Sequence, residues 1–178
     1  EQLSQEAGLK RYEMIAVNLK GEAMYEGGDF QHALEAFQHG EKMAMNDNER
    51  ADSFEHEAMA YERLQLLDKA VEFQLKAVMM QKKSGTPDQY AEASLTLGKL
   101  FTTQKDYASA EKTYQRLMEY ARDNGGPFYE AKSAIHLAQL KKLQGDQAGA
   151  AQWLKQAEAI AAKLKDAELD QLIAQTRS

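Results

Sequence analysis

Four histidines are the side chains of this sequence best able to bind a metal or relay a proton near neutral pH. His32 and His39 stand seven residues apart. On a helix that spacing puts them on one face but about 10 Å apart along the axis, too far for a single ion to take both. His56 and His136 are isolated from each other in sequence and read as packing or surface residues. With no cysteine there is neither a thiolate ligand nor a thiol nucleophile. Carboxylates are plentiful, as at Glu55, Glu57 and Glu62, and read as a solvated face, since nothing in their spacing suggests the burial or displaced pKa that acid–base chemistry requires. Glu26-Gly27-Gly28-Asp29 and Asn124-Gly125-Gly126-Pro127 read as turns between helices rather than phosphate-cradling loops. The expectation is therefore no catalytic residue, no metal, no cofactor, and no enzyme.

The elements that would carry these residues are helices. Only two prolines interrupt 178 residues, and apolar side chains recur at intervals of three and four throughout. A longer grammar repeats four times. Leu97-Gly98-Lys99-Leu100-Phe101 is followed by Lys105-Asp106-Tyr107-Ala108 and then by Ala110 and Tyr114; the same order of small, aromatic and small residues runs through Gly21 to Phe37, Ala58 to Ala70, and Leu137 to Ala150. The anchoring alanines, Ala33, Ala70, Ala110 and Ala150, are spaced by 37, 40 and 40 residues. Helices are predicted near 5–27, 30–46, 49–65, 68–83, 87–104, 107–124, 127–144, 147–163 and 166–176. Asp29, Asp68, Asp106 and Asp146 are expected to cap the second helix of each pair, and Pro87 and Pro127 to open first helices. Twelve residues before each anchoring alanine stands Gly21, Ala58, Gly98 or Ala138, so that eight small residues can bring paired helices close. Most of the eight methionines read as core filler, with Met59 the one assigned to a surface contact, and Trp153 is expected to pack under the last helix.

These residues resemble the tetratricopeptide repeat family, in the longer-spaced form similar to kinesin light chains and bacterial peptide-sensing regulators. The resemblance implies an all-α fold, a right-handed α-solenoid of four helix-turn-helix repeats (about 14–46, 49–83, 87–124 and 127–163) with a capping helix at 164–176, the whole forming a single domain over 1–178. Some positions depart from the pattern: Lys20 and Glu57 stand where Leu97 and Leu137 do, Gln74 where Phe37 and Tyr114 do, and Lys141 where Tyr61 and Phe101 do.

The resemblance also implies a concave groove lined by first helices. Carried onto this sequence, its positions are Asn18, Glu22 and Tyr25; Glu55, Met59 and Glu62; Leu95, Lys99 and Thr102; and Ile135, Gln139 and Lys142, with Lys132 adding to a basic C-terminal end. Residues 1–89 carry 10 Lys and Arg against 17 Asp and Glu, whereas 90–178 carry 12 against 11. A field of that kind could orient an extended or helical partner. It disfavours nucleic acid as a partner, because phosphate binding needs a basic stripe. Asn18, Glu22 and His56 stand where chaperone-binding relatives clamp a terminal carboxylate, so no such tail is expected to bind. No apolar run approaches the roughly 20 residues of a membrane span. The chain begins with Glu1 and shows no leader pattern. The expected function is a protein–protein interaction scaffold or adaptor holding a peptide or partner helix, in the cytoplasm or, if a leader was removed, the periplasm; a homo-oligomer stays open. The alternative is a sensory or regulatory domain of a larger signalling protein.

Overall fold

The computed structural model describes residues 2–177, with side chains described at position 6 and from 8 onward. Among these residues there are nine α-helices and no strand: α1 (Gln2–Glu26), α2 (Phe30–Met43), α3 (Asp47–Arg63), α4 (Leu67–Ser84), α5 (Pro87–Thr103), α6 (Tyr107–Asp123), α7 (Pro127–Leu143), α8 (Gln147–Leu164) and α9 (Ala167–Arg177). The class is the all-α solenoid that the repeat pattern predicts, with α1 to α4 and α6 to α9 each packed on the next helix in sequence. No helix among the described residues is long and apolar enough to cross a membrane. The chain divides into two compact units at Ala93 and Ser94, inside α5.

The helices begin and end for local reasons. Asp29, Asp106 and Asp146 each accept a hydrogen bond from the backbone N–H three residues on, at His32, Ser109 and Gly149, satisfying a donor that the first turn leaves open. Asp68 does not: α4 starts at Leu67, its cap position is Leu66, and no side chain caps it. The three working aspartates stand four residues before their anchoring alanine, whereas Asp68 stands two before Ala70 and so falls in the first turn, where its charge meets the helix dipole. Pro127 opens α7 at its first position, and Pro87 opens α5, which Thr86 and Gln89 cap reciprocally, each backbone N–H donating to the other's side chain. The turn residue five before each anchoring alanine is left-handed: Gly28 at φ 86°, Gln65 at 62°, Lys105 at 64° and Gly145 at 79°.

All eight small contact residues are buried. In the first unit a Cβ at Gly21 would lie 2.6 Å from the ring of Phe37, and in the second a Cβ at Gly98 would overlap Tyr114. The space is thus taken by a ring four residues beyond the anchoring alanine. Where that site holds Gln74 or Leu154 instead, the partner position is Ala58 or Ala138. In the first unit Gln74 is buried, and its Nε2 donates to the carbonyl of Ala93 at 3.0 Å, recovering part of the cost of enclosing an amide. The second unit has a continuous apolar centre in Leu97, Leu100, Leu117, Ile135, Leu137 and Leu140, closed by Leu169 and Ile173 of α9. Of the methionines, Met14 and Met118 are buried, while Met45, Met59 and Met79 are exposed, so core filling is a smaller part of their use than the sequence suggests.

Candidate functional site

In the first unit, α1 carries Asn18, Glu22 and Tyr25, and α3 carries Glu55, Met59 and Glu62, at intervals of three and four that align each set along one side of its helix. Asn18 turns toward α2. Its Oδ1 is enclosed without a hydrogen-bond partner in space that a Cβ at Gly40 would fill, so this side chain belongs to helix packing. Glu22 Oε1 lies 3.4 Å from Nε2 of His56, whose ring stacks on Phe37 at 4.8 Å between centroids. Burial pushes the imidazole pKa down, against the pull of Glu22 and Asp52, which favours its neutral form. Tyr25 meets Phe30 edge to face at 5.3 Å, with the Arg63 guanidinium 4.4 Å above the Phe30 ring. Met59 remains 39% exposed.

The carboxylates here are not the uniformly solvated face expected from their spacing. Glu55 is half-buried and accepts from Gln81 Nε2 at 3.4 Å; burial raises its pKa, and the nearby charges of Asp52 and Glu92 add to the rise. Asp52 is raised as well, again chiefly by desolvation. Glu57 departs furthest, being 2% exposed with its pKa pushed up to about 7 by burial first and then by Glu41, while Lys76, Gln38 and Lys42 act in the opposite direction. Gln38 in turn donates to Tyr61 Oη at 3.1 Å. The signal was present in the alignment of the repeats: Glu57 occupies the position of Leu97 and Leu137, both of them buried. A carboxylic acid in a leucine's place is protonated over part of the neutral range because its charged form is poorly solvated.

In the second unit, two of the expected surface residues belong to the interior. Leu95 and Ile135 are both 0% exposed, since their apolar side chains complete the core rather than line a groove. Lys99 is exposed, and the Oγ1 of Thr102 donates to the Gly98 carbonyl at 2.8 Å. These two border a cavity of about 280 Å³ shared with Tyr114, His136, Gln139 and Leu143, in which the His136 ring stacks on Tyr114 at 5.2 Å. The basic end, by contrast, is already engaged. Lys132 Nζ lies 3.1 Å from Glu168, Gln139 Nε2 donates to Thr176 Oγ1 at 2.9 Å, and Lys142 Nζ donates to the Thr176 carbonyl at 2.7 Å. All three fasten α9 to α7, because the last first-helix of the array presents its face to the capping helix. Among the described residues no group of three or more His, Asp or Glu side chains could hold a metal ion.

Repeating helix pairs with a small-residue seam, a left-handed turn and a closing helix define a helical-repeat protein. The tetratricopeptide repeat profile matches residues 49–123 and 89–163, and the chain belongs to that family. No curated protein matches the sequence significantly. Among solved structures, aspartyl phosphate phosphatase F from Bacillus subtilis superposes with a TM-score of 0.79 at 12% identity, over 94% of this chain and 45% of that one. BtubC from P. vanneervenii superposes with a TM-score of 0.74 at 18% identity, covering 98% and 81%. A Rap protein complexed with competence and sporulation factor gives 0.65 at 16% identity, covering 88% and 45%. The chain thus spans less than half the length of the phosphatase and of the Rap protein.

Proposed function

We propose that this chain is a non-catalytic protein-interaction scaffold that holds a peptide or partner helix against its first helices. The observation that carries this reading is the exposed Met59 about one turn from Glu55 and Glu62 on the same side of α3, with Glu22 of α1 reaching His56 on that helix. That chemistry suits a basic amphipathic segment, whose apolar side chain would cover the thioether while its cations meet the carboxylates. The second unit adds Lys99 and Thr102 beside their cavity as a smaller polar contact, with Lys132, Gln139 and Lys142 reserved for α9. The complex of a Rap protein with competence and sporulation factor supports ligand binding by a related fold. Photocrosslinking tests the reading directly. A photoreactive residue at position 59 or 99 should capture discrete polypeptides from native lysate that the same residue at Lys112 on α6 does not. Capture should fall when Glu55 and Glu62 are both changed to Lys. Equal labelling from all three positions would sink it.

A second reading, a regulatory domain within a larger signalling protein, is favoured by the 45% share of the Bacillus subtilis phosphatase and the Rap protein that this chain spans. A kinase, cyclase or DNA-binding segment in the same open reading frame would support it.

A further inference from the structure

α1 is apolar on two opposite faces. One packs inside the first unit through Met14 and Gly21, which are buried, flanked by Val17 and Met24. The other carries Leu9, Tyr12, Ala16, Leu19 and Ala23, all exposed, with Leu9 at 70%, Tyr12 at 74% and Leu19 at 58%. The intervals along this second face are three, four, three and four, the seam of two helices packed side by side rather than the spacing of scattered surface residues. Isolated apolar residues on a surface need no explanation, but a continuous stripe over four turns marks a covered face.

We infer that this stripe is a self-association surface, on which a second copy of the chain lays its own α1 antiparallel. The stripe is complementary to itself in size and in charge. When the two helices cross between residues 17 and 18, Tyr12 of one copy meets Ala23 of the other and Leu19 meets Ala16, so these layers and their symmetry mates each set a large side chain against a small one. The flanking Glu13 then falls beside Lys20 of the other copy, twice over by the two-fold symmetry. Both residues are exposed, and neither makes an ion pair within its own chain among the described residues. Sliding the helices by one heptad would bring Leu9 to Leu19 but set Glu13 against Glu13, so charge selects the first register. Rim charges of this kind fix register and orientation more than they add affinity, whereas the apolar layers supply the association. The stripe contains none of Met59, Glu55 or Glu62, and self-association is read separately from capture at those residues.

Sedimentation equilibrium of the purified chain across micromolar to millimolar concentration tests it. The wild type is expected to dimerise, and Leu19→Glu to stay monomeric with an unchanged circular dichroism spectrum and melting temperature, because position 19 faces away from the fold. A wild type that remains monomeric throughout overturns the proposal and leaves the face to another occupant. The charges supply a stricter test. Glu13→Lys and Lys20→Glu should each weaken the homodimer by about tenfold, since each turns two attractive pairs into two repulsive ones. Mixed together, the two variants should form a heterodimer tighter than either homodimer, because the two introduced charges then face each other with opposite sign while the second pair keeps its native residues. A mixture with no such preference overturns the antiparallel register.

Discussion

Glu57 shows how much one substitution within a repeat can alter a solenoid's response to its medium. Its carboxyl is 2% exposed, and burial holds its pKa at about 7, above the ordinary 4.5 that it recovers on unfolding. The folded chain therefore binds a proton that the unfolded chain releases. The stability so gained is complete below about pH 4.5 and is lost as the pH rises through about 7, a change of up to about 3 kcal/mol. Urea denaturation at a series of pH values should show the midpoint falling across that window, and Glu57→Leu should flatten the slope and raise stability most at pH 8. A wild-type midpoint that does not move between pH 5 and pH 8 would show that the carboxylate is well solvated. The position was readable in advance, because Leu97 and Leu137 mark it as interior in two other repeats. Its environment was not, since the charges of Glu41, Lys42 and Lys76 reach it from helices whose packing the spacing of residues does not give. The same holds at Leu95 and Ile135, where a position borrowed from the family outweighed the plainer rule that isoleucine and leucine in a repeat core are buried.

At the level of the helix, legibility was greatest where backbone chemistry is local. The nine helices begin within three residues of their predicted starts, because prolines, capping aspartates and left-handed turns act through their immediate neighbours. The pairing of Gly21 with Phe37 and of Gly98 with Tyr114 was half visible: the small residues could be counted, but which side chain fills the space depends on helix contact. Leu66 occupies the cap position without a side-chain bond and is 50% exposed, so its replacement removes little buried area. Leu66→Asp should give α4 the cap that Asp29, Asp106 and Asp146 give their helices, raising stability by about 1 kcal/mol in thermal or urea melts. No gain would mean that Asp68 already satisfies the first turn through its charge.

Across the whole molecule, stability in a repeat array is a sum of neighbouring contacts, so damage at one end should stay there. Leu169 of α9 is fully buried in the second unit, and Leu169→Ala removes packing of a kind that costs about 2–5 kcal/mol. Hydrogen exchange should then accelerate in α7, α8 and α9 and leave α1 to α3 near wild-type protection. A uniform loss along the chain would show that it unfolds as one cooperative body.

The bonds that fasten α9 also set a threshold for anything that would compete with it. Lys132, Gln139 and Lys142 are satisfied by Glu168 and Thr176 in the resting molecule. A ligand seeking those three side chains can engage them only in molecules whose last helix has peeled away, and its apparent affinity is its intrinsic affinity multiplied by that fraction. For such a ligand α9 would be a competitor held on the same chain: loosening it exposes Lys132 and Lys142, and occupying them costs α7 its cover.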